Sequence, residues 1–529
     1  MKLTGTRWSS SGGGQLEPSP PVRNPFVHEL RFSPLQKTKI AVMTVTLFPL
    51  RLLFAAFMML LAWPFAFIAS MGHTEKELEQ PMSWWRKIFD VVLKVIMRTM
   101  WFAGGFHWIT VKGQRALPAE APILTIAPHS SYFDAIPVTM TMASIVMKTE
   151  SKDIPIWGTL IKYIRPVFVT RSDQDSRKKT VEEIKRRALS KGKWPQIMIF
   201  PEGTCTNRSC LITFKPGAFI PGVPVQPVVL RYPNKMDTIT WTWQGPGAMD
   251  ILWLSLCQLH NFVEIEFLPV YIPSEEEKKN PLLYASNVRR VMAKALGVQV
   301  TDYTFEDCQL ALAEGQLRLP SDTCLLEFAK FVRGLGLKPM KVKEELEKCA
   351  ECARNMQGKK IGLEEFASFV KQPVSETLKN MFALFDENKE GSVDPREYVI
   401  ALSVVSRPSE TLATIKLAFK MYASEKHNSL TEEDLACILK TALGVSELNV
   451  SHLFRAIDTE QKGEITYSDF SEFAEAHPDF AEEYLYLYPS DHESCSESPS
   501  APVPNGFCAD FTPDDLELYE NNVSHKKLN

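Results

Sequence analysis

Between Ile40 and Ser70 the chain carries a single charge, Arg51, and residues 52–69 form an unbroken apolar run. A run of that length spans or deeply enters a bilayer, and globular helices seldom go so far without a polar stripe. A buried helix of a soluble domain is the plainer alternative. Its position excludes a cleavable signal peptide, because a polar arm precedes it. Pro49 and Pro64 would kink a helix there, leaving one tilted span or a re-entrant hairpin. Arg23, Arg31, Lys37 and Lys39 before the run nearly balance Lys76, Arg86 and Lys87 after it, so flanking charge sets no orientation. Residues 84–106 mix Ile88, Val91, Val92, Val95, Ile96, Met100 and Trp101 with Arg86, Lys87, Lys94 and Arg98. That is a basic amphipathic helix, suited to a membrane surface or to packing on the next domain.

Whole-chain averages hide this segment. With 529 residues the chain holds roughly three units at ~100–200 residues each. Lys+Arg 59 against Asp+Glu 63 gives a net charge of −4, which argues against a basic nucleic-acid binder, so no nucleic-acid partner is expected. A mean hydropathy of −0.11 excludes a polytopic transporter. Ten cysteines are too sparse for a disulfide-built secreted scaffold.

Composition divides the chain into a Ser-, Gly- and Pro-rich arm over 1–36 and a membrane anchor with its amphipathic helix over 37–106. An α/β domain over 107–300 follows, then an all-helical repeat over 340–480 and an acidic tail over 485–529. Within the α/β domain, residues 123–126, 196–200, 225–232 and 263–268 are the clearest strands.

Directly after the first of these comes Ala127-Pro128-His129-Ser130-Ser131-Tyr132-Phe133-Asp134. On one ideal helix His129 and Asp134 would lie about 140° apart and could not meet. They meet if His129 sits in the turn leaving the strand and Asp134 in the first helical turn. The carboxylate then fixes the imidazole tautomer while the other nitrogen takes a proton from a hydroxyl. A surface histidine near a helix start is the alternative. After the strand at 196–200 comes Pro201-Glu202-Gly203-Thr204-Cys205, where Gly203 allows close approach and Glu202 and Thr204 offer polar groups to a ligand. Taken alone it is an ordinary strand-to-loop turn. Arg171, closing Phe168-Val169-Thr170-Arg171, could hold a phosphate, or be a solvated charge as expected for Arg177-Lys178-Lys179 and Lys185-Arg186-Arg187. Pro224-Val225-Gln226-Pro227-Val228-Val229 could wall an acyl chain or be core.

This ordered set resembles the glycerolipid acyltransferase family that includes bacterial 1-acyl-glycerol-phosphate acyltransferase, and Glu-Gly-Thr-Cys resembles its lysophosphatidylcholine acyltransferase branch. The resemblance covers about 110 residues of motifs, about 200 with flanking structure, and extends to the helical pair ahead of the domain. Two positions depart from the wider family, Arg165 where it has Gly and Cys205 where many members have Arg. Loss of that cation fits a less anionic acceptor than lysophosphatidic acid. The resemblance implies an acyl-CoA co-substrate, no catalytic cofactor, and lysophosphatidylcholine and related lysophospholipids, including lyso-platelet-activating factor, as acceptors. It implies His129 as base, Asp134 as its orienter, and Arg171, Glu202, Gly203 and Thr204 as acceptor-binding residues. It further implies work at endoplasmic reticulum and Golgi membranes, with lipid droplets as an additional candidate surface.

The helical repeat carries a second chemistry. Asp386, Asn388, Glu390, Ser392, Asp394 and Glu397 fall at positions 1, 3, 5, 7, 9 and 12 of a loop with Gly391 at 6, the spacing of a calcium-binding EF-hand. An exposed acidic loop is the alternative. A second loop retains Asp458, Glu460 and Asp469, but Lys462 replaces a ligand and Asp469 is short, so weak or no binding is expected. Loops beginning near 354, 386, 423 and 458 read as four EF-hand units, mostly degenerate. Cys349 and Cys352 lack a second pair and make no zinc site. Asn207, Asn449 and Asn522 begin glycosylation sequons, and Lys526 and Lys527 match a dilysine retrieval signal.

The expected architecture is an α/β acyltransferase domain with an N-terminal membrane helix or hairpin and a C-terminal all-α EF-hand domain. The competing readings are a calcium-responsive membrane scaffold with an inactive acyltransferase fold, and a lipid hydrolase that activates water with the same histidine.

Overall fold

The computed structural model describes residues 24–70, 84–149, 154, 156–169, 174–242, 245–311, 319–320, 323–337, 339–386, 388–408, 410–423, 428–478 and 480–485. The first helix among the described residues is one continuous element, α1 (Pro34–Ser70), which carries Pro49 and Pro64 inside it. The apolar run is therefore neither broken nor re-entrant at the prolines. At ~1.5 Å per residue α1 is about 56 Å long, well beyond the ~30 Å of a bilayer core. Helix α2 (Trp84–Ala103) returns beside it. Phe65 meets Phe89, and Ala62 and Ala66 pack on Leu93 and Ile96. Further along, Arg51 reaches Gly105, so the pair is antiparallel. The small Ala side chains let the two backbones approach closely. The outer faces expose Phe57, Trp63 and Phe67 on α1, and Ile88, Val91 and Val95 on α2.

The α/β body follows as β1 (Ile109–Lys112), β2 (Ile123–Ala127), α3 (Ile136–Thr141), β3 (Ser144–Lys148), α4 (Trp157–Tyr163), β4 (Val167–Val169), α5 (Gln174–Ala188), β5 (Ile197–Ile199), β6 (Cys210–Leu211), β7 (Val225–Arg231), α6 (Ala248–Leu256), β8 (Val263–Phe267), α7 (Glu275–Lys279), α8 (Pro281–Leu296) and β9 (Gln299–Val300). Seven strands form one sheet in the order β1-β8-β7-β2-β5-β3-β4, parallel at every junction except β7 with β8. Successive residues of β2 point to opposite faces. Ile123 and Ala127 join Ile184 and Tyr284 on one side, while Leu124 and Ile126 join Phe133, Ile161 and Ile251 on the other. Both faces are thus covered by helices, as a parallel sheet requires. Strand β7, from the Pro224…Val229 motif, is buried throughout its first six residues and belongs to this core.

Helices α9 (Phe305–Ala311) and α10 (Leu325–Gly334) lead to the helical body. There α11 (Pro339–Asn355) to α18 (Tyr467–Ala476) form four helix-loop-helix units. Their loops pair two by two, through an Ile361–Val393 bridge and through β10 (Ser429–Leu430) against β11 (Ile465–Thr466). Phe26, Tyr303 and Phe328 join the core of this body.

Candidate active site

Strands β7, β2 and β5 are adjacent and parallel, so the turns leaving them emerge along one edge of the sheet, where α/β folds place ligands. His129 leaves β2, Glu202 leaves β5 and Tyr232 leaves β7. His129 Nδ1 lies 2.7 Å from Asp134 Oδ2, with both side chains fully buried. The five-residue spacing closes because Asp134 is the third residue of a short 3-10 turn, Tyr132–Ala135, capped by Ser131. An acidic residue there folds back toward the backbone that precedes the turn. Oδ2 accepts N–H bonds from Ser130 at 2.6 Å and Ser131 at 3.0 Å, which turns the carboxylate toward His129. The Phe200 ring stacks on the imidazole at 4.4 Å. Burial alone would raise the Asp134 pKa, but the His129 hydrogen bond and charge, the Ser130 N–H and the Tyr232 hydroxyl together hold it below its ordinary value. This pair can deprotonate a hydroxyl through Nε2 while Asp134 steadies the imidazolium.

Glu202 has a different place from an acceptor-facing carboxylate. It is fully buried, and its oxygens accept the backbone N–H groups of His129 at 2.7 Å and Ile212 at 3.4 Å. Burial raises its pKa to about 7, against the pull of those N–H groups and of His129. Its geometry fits the positioning of the His129 backbone. Gly203 has φ +74°, a conformation that favours glycine, and a Cβ there would meet only the flexible end of Lys215, with Cε at 2.9 Å. Thr204 Oγ1 lies 3.2 Å from Cys308 Sγ on α9, and burial pushes that thiol up to about 12. Arg171 lies outside the described residues, as do Lys526 and Lys527.

Arg165 has φ +54°, in the region that favours the glycine of the wider family. Its carbonyl accepts from Arg187 Nη1 at 2.6 Å and Ser144 Oγ at 2.9 Å. Arg187, expected to be solvated, is instead buried between that carbonyl and Glu183, because the left-handed turn at Arg165 aims an oxygen at it.

Two further groups lie at the pair without a motif to announce them. Tyr232 donates its hydroxyl to Asp134 Oδ1 at 2.5 Å. The Arg208 guanidinium lies 5.2 Å from the Tyr232 ring centre and bonds Asp237 Oδ2 at 2.6 Å. The Asn207 amide donates to the carbonyls of Asn24 and Val27 at 2.9 and 2.8 Å, tying the N-terminal segment across this loop.

In the helical body, Asp386, Asn388, Glu390, Ser392, Asp394 and Glu397 line one cavity of about 280 Å³. Oxygen donors at those loop positions fit calcium. Yet no three carboxylates converge to metal distance among the described residues. Glu390 is paired with Lys360 at 2.8 Å and Asp394 with Arg396 at 2.7 Å, which offsets part of the loop's negative charge. In the second loop Asp458 accepts from the Lys462 and Gly463 N–H groups, Glu460 pairs with Lys462, and Asp469 caps the next helix by accepting from Thr466.

A family model described as Acyltransferase matches residues 108–231, and one described as EF-hand domain pair matches 427–476. Lysophosphatidylcholine acyltransferase 1 of Rattus norvegicus is 72% identical over 519 residues, 98% of this chain and 97% of that protein. The Homo sapiens protein of the same name is 72% identical over 508 residues, 96% and 95% of the two chains. Lysophosphatidylcholine acyltransferase 2 of Danio rerio is 49% identical over 463 residues, 87% and 88%. On these similarities, which run through the sheet, the His129–Asp134 turn and the helical body alike, the chain belongs to the lysophosphatidylcholine acyltransferase family.

Proposed function

We propose that the chain transfers an acyl group from acyl-CoA to the free glycerol hydroxyl of lysophosphatidylcholine, forming phosphatidylcholine and free CoA. Related lysophospholipids, including lyso-platelet-activating factor, are further acceptors in this reading. His129 Nε2 takes the hydroxyl proton as the oxygen attacks the thioester carbonyl. The C–S bond breaks, and the imidazolium returns the proton to the departing CoA sulfur. Asp134 holds Nδ1–H and stabilises the imidazolium throughout. Glu202 fixes the His129 backbone, and Arg171, Gly203 and Thr204 meet the phosphate-glycerol part. The buried 2.7 Å contact between His129 and Asp134 is the observation that carries this reading.

The α1/α2 pair supports a membrane seat for the reaction. Phe57, Trp63 and Phe67 on α1, with Ile88, Val91 and Val95 on α2, give it an exposed apolar face suited to hydrocarbon. Endoplasmic reticulum and Golgi membranes are the proposed locations, with lipid droplets as a further surface, and Lys526 and Lys527 as the retrieval signal. Calcium is proposed at the 386–397 loop, held by Asp386, Asn388, Glu390, Ser392, Asp394 and Glu397, with at most weak binding at Asp458, Glu460 and Asp469.

CoA release from acyl-CoA with and without lysophosphatidylcholine tests the reading. Release that requires the acceptor and is lost in His129→Ala supports transfer. Release without acceptor points to hydrolysis, and no release from the wild type sinks both enzyme readings in favour of a scaffold.

A further inference from the structure

Asp134 has two oxygens, and the transfer chemistry accounts for one of them. Oδ2 takes His129 Nδ1 and the Ser130 and Ser131 N–H groups, while Oδ1 takes the Tyr232 hydroxyl at 2.5 Å. Tyr232 is 8% exposed and follows the end of β7, the strand hydrogen-bonded to β2. Donors on both oxygens fix the plane of the carboxylate, so the oxygen that faces the imidazole cannot rotate away. Across the Tyr232 ring lies the Arg208 guanidinium, anchored through Nη2 on Asp237, whose backbone carbonyl is met by His28 Nε2 at 2.9 Å. Arg208 holds a left-handed φ of +64° to reach this position, and its Nη1 is buried with no hydrogen-bond partner among the described residues. A strained backbone and an unmet buried donor are both costly, and such costs gather at functional sites.

We propose that Tyr232 and Arg208 are positioning residues of the acyl-transfer site, acting through Asp134 to set the orientation and the proton affinity of His129. The inference rests on the reading of His129 as general base. Tyr232 draws negative charge from Oδ1, and Arg208 adds a positive field behind it, so less charge remains on Oδ2 to stabilise the imidazolium. His129 from the turn after β2 and Tyr232 from the end of β7 meet this carboxylate directly, Glu202 from the turn after β5 interacts with it through charge, and Arg208, paired with Asp237 and with His28 behind that, lies across the Tyr232 ring. Burial, with Asp134 beside it, pushes the Tyr232 hydroxyl well above its ordinary range, so it remains a donor throughout the working pH range.

The test uses the full-length enzyme in mixed micelles of lysophosphatidylcholine with an acyl-CoA, following phosphatidylcholine formation against pH. In Tyr232→Phe, kcat falls about 10-fold with both KM values within about twofold of wild type. The acid limb of its pH profile moves to higher pH, because the unshared charge on Asp134 stabilises the imidazolium more. Arg208→Gln moves the limb the same way, and Arg208→Lys restores it toward wild type. A purely structural role would lower the amount of active enzyme and leave the limb in place. If Tyr232→Phe does not fold, the Arg208→Gln and Arg208→Lys pair gives the same readout. An unmoved limb in the folded variants, with His129→Ala inactive in the same assay, overturns the positioning role. Activity in His129→Ala overturns the underlying general-base reading instead.

Discussion

Arg51 donates from Nη1 to the Gln258 carbonyl oxygen at 2.5 Å. The same guanidinium reaches the carbonyls of Leu256 at 2.9 Å and Leu259 at 3.1 Å. These oxygens lie at and just beyond the end of α6, where a helix leaves carbonyls without intrahelical partners and where a cation is favoured. The single charge of the apolar run is thus met by the catalytic body, and Thr44 nearby accepts from Trp253 Nε1 at 2.8 Å.

Arg51→Met should remove this junction while keeping α1 apolar. The expected loss is about 3 kcal/mol in the catalytic body, read as a lower melting midpoint in detergent. Resistance of membrane association to carbonate extraction should be retained. An unchanged midpoint would show that the three carbonyl contacts contribute nothing to the docking of α1.

Asp134→Asn preserves the size of the side chain but replaces the carboxylate that holds Nδ1–H. Transfer should fall about 10³-fold or more, with the melting midpoint near wild type. Single-turnover rates at saturating substrate separate this from weaker binding, and a variant within a few-fold of wild type would remove Asp134 from the mechanism.

Glu202 gives a prediction in pH. Its carboxyl titrates near 4.5 in the unfolded chain and at about 7 when folded. Between these values the folded state keeps a proton that the unfolded state has lost, so stability declines as pH rises. The contribution is fully present below pH 4.5 and lost on passing about 7. Relative to Glu202→Gln, the wild type should therefore lose about 3 kcal/mol across that window. Melting curves of both proteins in the same buffers would show the gap between them changing with pH, and a constant gap would count against a neutral buried Glu202.

Asp307 on α9 is fully buried at its side chain and is held by Arg333 on α10 through contacts of 2.6 and 2.7 Å. Burial raises the Asp307 pKa, with Arg333 opposing it. Arg333→Ala should cost about 2 kcal/mol, below the ~3–5 of a fully buried pair because Arg333 is one-third exposed. The double change Arg333→Met with Asp307→Leu should recover most of it in thermal denaturation. Equal instability in both variants would assign the effect to packing rather than to an unpaired carboxyl.

In the helical body, Glu397→Gln should weaken calcium binding about tenfold or more in titration calorimetry. Phosphatidylcholine synthesis in calcium-free buffer should equal that of wild type. Lys360→Met, which frees Glu390, should tighten binding. Equal loss of basal synthesis in Glu397→Gln would tie this residue to the catalytic body instead.

How much of this was readable before folding follows from chain separation. The apolar run, the strand at 123–126 and the loop spacing of 386–397 are local patterns whose period or ligand order lies in consecutive residues. The His129–Asp134 contact is legible for the same reason, since five residues and a capped turn close it. The role of Glu202 was not, because a Glu-Gly-Thr turn offers the same residues to a ligand or to a neighbouring backbone. Only the placement of β5 beside β2 turns the carboxylate toward the His129 N–H.

The sequence by itself determined the apolar helix, the alternation of strands and helices, and the short-range histidine–aspartate pair, because hydrophobic periodicity and turn chemistry act over a few residues. The tertiary structure decided the rest. Tyr232 reaches Asp134 across 98 positions and Arg51 reaches Gln258 across 207. Contacts that long depend on strand order and on which buried polar groups must find partners, and no local pattern carries either.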